Sequence, residues 1–445
     1  MLTHLKLNNF KIWRSTGQMP LAPLTLLFGT NSSGKSSLIQ SLLLLRQTVK
    51  GQDPNLDLNF GNADAGDSVT LGQFRDVLCR HGAATEAVKA RQIGIEFGWR
   101  GGEAGQSGGV FSARYEQGHG GSAGLVYLRI GQGNLGFIAQ RGRHAAYRLW
   151  AADVRRAIGQ SPNFKPQRSF AFSGAAAEAL GTRAAPVLSV GPALLAELSR
   201  IIYLGPVRRL AQRDYLWSGH FRGSIGDDGG SAVDALISSG VAKEVAHRRR
   251  LPVPSSARIF DETARWLRNM GLAEDLQVWQ LGRSARYELQ VLDKGGASNL
   301  KDVGVGVSQV LPVIVAALFA ERGHVVIVEE PESHLHPLAQ AQLAELFIQV
   351  SRERGVQFIV ESHSEHFLNR LQRRVAEGGV APGDMAVYFC RRSDRAAELE
   401  LLRLDEFGEI NNWPENFFGD EMADIAGRTI AAMQRKLARK TGGAA

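Results

Sequence analysis

The sequence predicts an α/β protein whose parallel sheet is assembled from the two ends of the chain, with a β-rich lobe inserted between them. Three observations carry that reading. LTLLFG at 24–29 is a buried strand that runs through a Gly/Ser loop into the helical stretch SLIQSLLLLRQTVK at 37–50. In the last third, apolar strands alternate with helices, the pattern of a parallel sheet covered on its faces. Between these ends, short strand-like pieces separated by glycine-rich turns occupy about 90–150.

In chain order, residues 2–13 alternate apolar and polar and read as a strand, which precedes the strand–loop–helix unit. IGIEFGWR, VFSARYE, LVYLRIG and LGFIAQR then read as an antiparallel sheet. Residues 151–275 are more helical but broken by loops, and YELQVLDK at 287–294 returns to strand. SQVLPVIVAALFAE is a helix, VVIVEE a buried strand, LAQAQLAELFIQVSRER a helix, QFIVESH a buried strand, EHFLNRLQRRVAEGG a helix and MAVYFCRR a strand. The expected division is a first core half at 1–89, a β-rich inserted lobe at 90–200, a helical and loop insertion at 201–285, a second core half at 286–404 and a tail at 405–445.

Composition narrows the class. The 445 residues are 44% hydrophobic and 22% charged, an ordinary globular balance. Cys79 and Cys390 give neither a disulfide framework nor metal-ligand spacing, which fits a reducing cytoplasm. The N-terminus lacks a signal-peptide pattern, and the longest apolar run, VLPVIVAALFA, is too short to span a bilayer. A cytoplasmic protein with no membrane contact is expected. The net charge of +8 admits a polyanionic partner such as DNA, although Arg208-Arg209, Arg248-Arg249-Arg250, Arg373-Arg374 and Arg391-Arg392 each also read as solvated faces.

GTNSSGKS, Gly29 to Ser36, fits G-x-x-x-x-G-K-[ST] in the strand-to-helix context that this motif requires. Glycines let backbone N–H groups turn in around a phosphate, and the helix N-terminus adds a favourable dipole. Lys35 would reach the β- and γ-phosphates and Ser36 would ligate Mg²⁺; Asn31, Ser32, Ser33, Gly34 and Ser37 complete the loop. VVIVEEPESHLHP at 325–337 then supplies the acids. Glu329 would face the metal, and Glu330 would orient the attacking water. His363, at the end of another buried strand, would donate to the γ-phosphate. Glu332, His334 and His336 also admit a metal site, against a loop lining a subunit contact. Asp420, Glu421 and Asp424 admit a nuclease cluster, against carboxylates favoured at a helix start.

Together KLNNFKIW, LTLLFGTNSSGKSSLIQSLLLL, DVGVGVSQVLPVIVAAL, VVIVEEPESHLHP and FIVESHSEHFLNRLQRRV resemble the P-loop NTPase heads of ABC/SMC type, the RecF, Rad50 and OLD group. The likeness is greatest to bacterial AAA-family ATPases related to OLD proteins, and GEINNWPENFFGDE resembles the DUF3696 segment. The resemblance implies a Walker A loop at Gly29–Ser36, a Walker B pair at Glu329 and Glu330, a D-loop at 332–337 and a switch histidine at His363. Gly304 to Gln309 take the place of the signature motif, so that Gly306, Ser308 or Gln309 would meet the γ-phosphate of a second subunit. Gln73 would be a Q-loop residue sensing Mg²⁺. The departures are Glu at 329 where Asp is usual, which leaves direct or water-mediated Mg²⁺ contact open, and GVGVSQ in the signature.

The implied function is an ATP-hydrolysing homodimeric switch of an anti-phage defence or DNA-transaction system, controlling a separate nuclease or toxin. The alternatives are a metal-dependent DNA nuclease in its own right and a non-catalytic scaffold.

Overall fold

The computed structural model describes residues 1–414 apart from 52, 54, 63, 65, 81–87, 102–107, 133, 134, 152–155, 168, 222, 250–257, 394 and 395, and it also describes Ile430 and Met433. At its centre lies a six-stranded sheet in the order Ile201–Leu204, Val325–Glu329, Gln357–Glu361, Leu24–Gly29, Met385–Arg392, Ala397–Leu402. All neighbours are parallel except the last pair. The two ends of the chain do meet: Leu24–Gly29 sits between strands that follow it by more than three hundred residues.

The central strands are apolar throughout because both of their faces are covered. Side chains alternate across a strand, so each strand feeds two cores. Leu27, Val325, Ile327, Ile359, Tyr388 and Cys390 join one core with the helix Lys35–Lys50 and the antiparallel sheet. Leu24, Leu26, Phe28, Val326, Val328, Phe358 and Val360 join the other, beneath Val305–Phe319, Pro337–Arg354 and Glu365–Ala376. Val305–Phe319 is buried around most of its circumference, as an all-apolar helix must be.

The expected domain boundaries are corrected at three places. The β-rich stretch is not a lobe closed at residue 90. Leu2–Phe10 pairs with Ile93–Trp99 over registers from Leu2↔Trp99 to Asn8↔Gly94, so the first strand belongs to the nine-stranded antiparallel sheet. That stretch also ends in helix, Ala184–Ser199, which packs on Lys35–Lys50. Second, the 201–285 segment opens with a core strand, Ile201–Leu204, in parallel register with Val325–Val328. Third, Arg286–Asp293 lies in a separate four-stranded antiparallel sheet with Asp275–Gln280, outside the central sheet. The Asp420, Glu421 and Asp424 group lies outside the described residues.

Candidate functional site

The loop after Leu24–Gly29 is shaped by backbone conformations that suit glycine. Gly29 has φ 139°, and a Cβ there would stand 2.1 Å from the Cys390 carbonyl oxygen. Gly34 has φ 106°, and a Cβ would meet Ile12 Cδ1 at 2.8 Å and Trp13 Cζ2 at 2.9 Å. Trp13 Nε1 donates to the Gly34 carbonyl at 3.2 Å, so the loop is braced from beneath by the N-terminal hairpin. Gly34 caps Lys35–Lys50 without a side-chain hydrogen bond, and the first turn holds no acid. A helix start whose first turn carries no acid favours an anion there.

Lys35 folds back across that loop. Its Nζ donates to the Gly29 and Thr30 carbonyls at 2.9 and 3.1 Å and stands 3.7 Å from Glu361 Oε1. The Ser36 hydroxyl donates to the same Glu361 oxygen at 3.1 Å. Strand phase explains the meeting: Glu329 and Glu361 are register partners, each two residues beyond an isoleucine facing the Lys35–Lys50 side. Tyr203 shares that face, and its hydroxyl donates to Glu329 Oε1 at 2.7 Å. The strand expected to supply one site acid supplies Glu329, and its neighbour supplies a second acid, Glu361, that sequence reasoning missed. The signal was available: VVIVE and QFIVE are buried strands of equal length that end in glutamate at the same phase.

Glu330 turns away from the strand with φ 45°, uncommon for a residue with a side chain. Three groups fix it. Its N–H donates to the Glu361 carbonyl at 2.8 Å, its Oε2 accepts from Ser333 Oγ at 3.1 Å, and its carbonyl accepts from Arg208 Nη2 at 3.1 Å. Arg208 also donates to the Glu329 carbonyl at 2.7 Å and to the Gln309 carbonyl at 3.4 Å. It is only 4% exposed, which corrects its reading as part of a solvated or polyanion-facing basic pair. Burial lowers its pKa to about 10, against the opposing pull of Glu332 and Glu330.

Glu332, also buried, accepts from Ser362 Oγ at 2.8 Å and from the His363 N–H at 2.6 Å. It thereby pins the turn that carries His363. His336 accepts from the Leu338 N–H and caps Pro337–Arg354. Those two anchoring roles answer the metal reading of Glu332, His334 and His336; among the described residues no group of three or more His, Cys, Asp or Glu side chains is gathered as a metal site.

A cleft of about 390 Å³ brings together Asn31, Ser32, Ser33, Gly34, Lys35, Ser36, Ser37, Glu330, Glu361 and His363, walled by Ile12 and Arg392. The structure does not bring Gln73 there: it caps the short helix Phe74–Val77, and its side chain lies beside Gly121. Gly306, Ser308 and Gln309 also lie apart from the cleft, at the start of Val305–Phe319 beside the His334 carbonyl.

The charge balance of the cleft is uneven. Glu361 is pushed up to about 7, first by burial and then by Glu329, with Lys35 and Ser36 pulling the other way. Burial likewise raises Glu329 and lowers His363. Folding raises Glu361 above its ordinary 4.5, so the folded protein holds this proton more tightly than the unfolded chain. This carboxyl therefore favours folding most on the acid side. Its contribution is lost as pH rises from 4.5 to about 7 and is flat above that. Urea melts of the metal-free protein should show a shallower decline across this window in Glu361→Gln than in wild type; parallel declines would contradict the assignment.

An implied Mg²⁺ fits these residues. Glu361 Oε2 is buried without a hydrogen-bond partner, and the Ser36 hydroxyl, Glu329 and Glu361 are the hard oxygen donors that such an ion takes.

Comparison with known proteins gives partial matches. Residues 190–369 match the family model described as "AAA domain, putative AbiEii toxin, Type IV TA system", and residues 380–426 match DUF3696, a protein family of unknown function. A "Putative ABC transporter ATP-binding protein" of Geobacter sulfurreducens is 28% identical over 141 residues, which is 28% of this chain. The match spans about half, 49%, of that relative's length. Among solved structures, an SMC head bound to the C-terminal winged-helix domain of ScpA is similar at 12% identity and TM-score 0.48, covering 91% of this chain and 98% of that one. The SMC head domain from Thermotoga maritima is similar at 11% identity and TM-score 0.39, covering 90% and 98%.

Proposed function

We propose, from its fold and its partial matches to an AAA-domain family model and an ABC-type ATP-binding protein, that this chain binds and hydrolyses ATP as a homodimeric switch. The observation that carries the reading is the convergence of Lys35, Ser36, Glu330 and His363 on one cleft from three separated stretches of sequence.

In that reading the amides of 31–37 and Lys35 cradle the β- and γ-phosphates, as an anion site at a helix start favours. Ser36, Glu361 and Glu329 are the residues that would hold Mg²⁺, which would supply charge neutralisation at the phosphates. Glu330, fixed at positive φ, orients the attacking water and accepts its proton. His363, kept neutral more readily by burial and by Lys35, donates to the γ-phosphate. A second cavity, of about 540 Å³, shares Ile12 and Arg392 with the first and is lined by Lys11, Leu78 and Cys79; it offers room for the nucleoside.

The partner in this reading is a second copy. Gly306 and Ser308 lie away from the cleft of their own chain, as residues that complete another subunit's site would. Val305 and Leu338, beside the signature and D-loop segments, are 48% and 51% exposed, an apolar rim available for such a contact. Control of a nuclease or toxin in anti-phage defence, and contact with DNA, follow from the resemblance. Among the described residues of the basic clusters, Arg209, Arg248, Arg373, Arg374 and Arg391 each stand against a carboxylate, and the net charge is what supports DNA as a partner. Among the described residues no helix is long and apolar enough to cross a membrane.

The test is phosphate release by the purified chain with Mg²⁺ and ATP. Wild type should turn over and Lys35→Ala should lose nucleotide binding by about tenfold or more, the scale of a lost charge-assisted contact of ~1.5–3 kcal/mol. Equal ATP binding by both proteins would refute the site.

A further inference from the structure

We infer that Glu361 is the carboxylate that shares the metal position with Ser36, and that Glu329 stands behind it, held by Tyr203. The inference rests on the nucleotide reading above and deepens it, because neither the motif nor the resemblance gives Glu361 a role.

Three observations separate the two acids. Glu361 lines the cleft, whereas Glu329 is not among its walls. Glu361 Oε1 takes the Ser36 hydroxyl, while Glu329 Oε1 takes the Tyr203 hydroxyl on the far side of the strand pair. Both acids are buried, but only Glu361 leaves an oxygen, Oε2, with no geometric hydrogen bond among the described residues, the Glu329 carboxyl being its close neighbour. A buried carboxylate oxygen left unmade costs free energy unless something occupies it. A cation is the fitting occupant: among the described residues Glu329 and Glu361 gather beside Lys35, while the buried Arg208 lies on the side of Glu330 and Glu332. Mg²⁺ commonly takes one or two carboxylates together with phosphate oxygens and a hydroxyl, which is the donor set gathered here. A purely structural partner of Lys35 would need only Oε1.

The two roles predict opposite responses to metal. Mn²⁺ binding to the full chain saturated with ADP can be followed by electron paramagnetic resonance, with no turnover involved. Glu361→Gln should weaken Mn²⁺ by about tenfold or more, the range found when groups that support a metal site are removed. In EDTA the same variant should bind ADP as tightly as wild type or tighter, because a negative charge beside the phosphates is gone. Glu329→Gln should change Mn²⁺ affinity less than Glu361→Gln. Unchanged Mn²⁺ affinity in Glu361→Gln, a larger loss in Glu329→Gln, or weaker ADP binding in EDTA would each overturn the assignment. Should Glu361→Gln not fold, Glu361→Asp carries the test: it keeps the charge but shortens the reach, so metal affinity should fall and metal-free ADP binding should not. Failure of wild type to bind ADP at all would instead overturn the nucleotide reading.

Discussion

Replacing Glu330 with Gln should slow ATP hydrolysis by about two to four orders of magnitude, the usual worth of a positioned general base. The substitution keeps the size and the Ser333 hydrogen bond but removes the proton acceptor. Nucleotide affinity should stay near that of wild type, because Glu330 bonds to the cleft through its backbone rather than to the phosphate loop. Blocked hydrolysis should also trap the ATP-bound pair of chains. Light scattering with ATP and Mg²⁺ should then report a dimer for Glu330→Gln where wild type cycles back to monomer. Wild-type turnover in this variant would remove Glu330 from the mechanism. A variant that stays monomeric with ATP would remove the switch.

Arg208→Met should be the most damaging substitution outside the phosphate loop. It preserves the approximate length of the side chain and removes the guanidinium donors from the carbonyls of Gln309, Glu329 and Glu330, of which Glu330 keeps the Ser333 N–H. Each buried acceptor left unmade costs about 1–3 kcal/mol, so a loss of about 3 kcal/mol or more in urea unfolding is expected. Lysine should recover little, since one ammonium cannot span three carbonyls as a planar guanidinium does. The effect on function should appear in kcat more than in KM. Arg208 stabilises the unusual backbone of Glu330 and ties it to the helix that carries Ser308, while Lys35 and the loop amides lie elsewhere. Wild-type stability in Arg208→Met would show that the carbonyls find other donors.

The family comparison and the fold agree with the resemblance read from the motifs, and the reasons are local. Gly29 and Gly34 require glycine because of their own positive φ, a property of the local backbone, so the loop is written in one short stretch. The apolar helices and strands of the last third are equally local, since burial on both faces demands continuous apolar runs. Ile201–Leu204 was lost because four residues carry too little pattern to distinguish a strand from a loop. The β-rich stretch was taken as separate because the strand that completes its sheet, Leu2–Phe10, lies more than eighty residues earlier.

What the sequence alone determined is therefore the Gly29–Ser36 loop between strand and helix, the adjacent Glu329 and Glu330, and the alternating strands and helices that carry them. Each of these is written in residue types within one short stretch. Only the tertiary structure decided that Glu361 stands beside Ser36, that Tyr203 draws Glu329 aside and that Arg208 is buried against three carbonyls. Those partners are 101 to 325 residues apart. Tyr203, Glu329 and Glu361 meet because strand phase points them to one face while parallel register, set between distant segments, aligns them, and Arg208 is delivered by the loop that follows Ile201–Leu204.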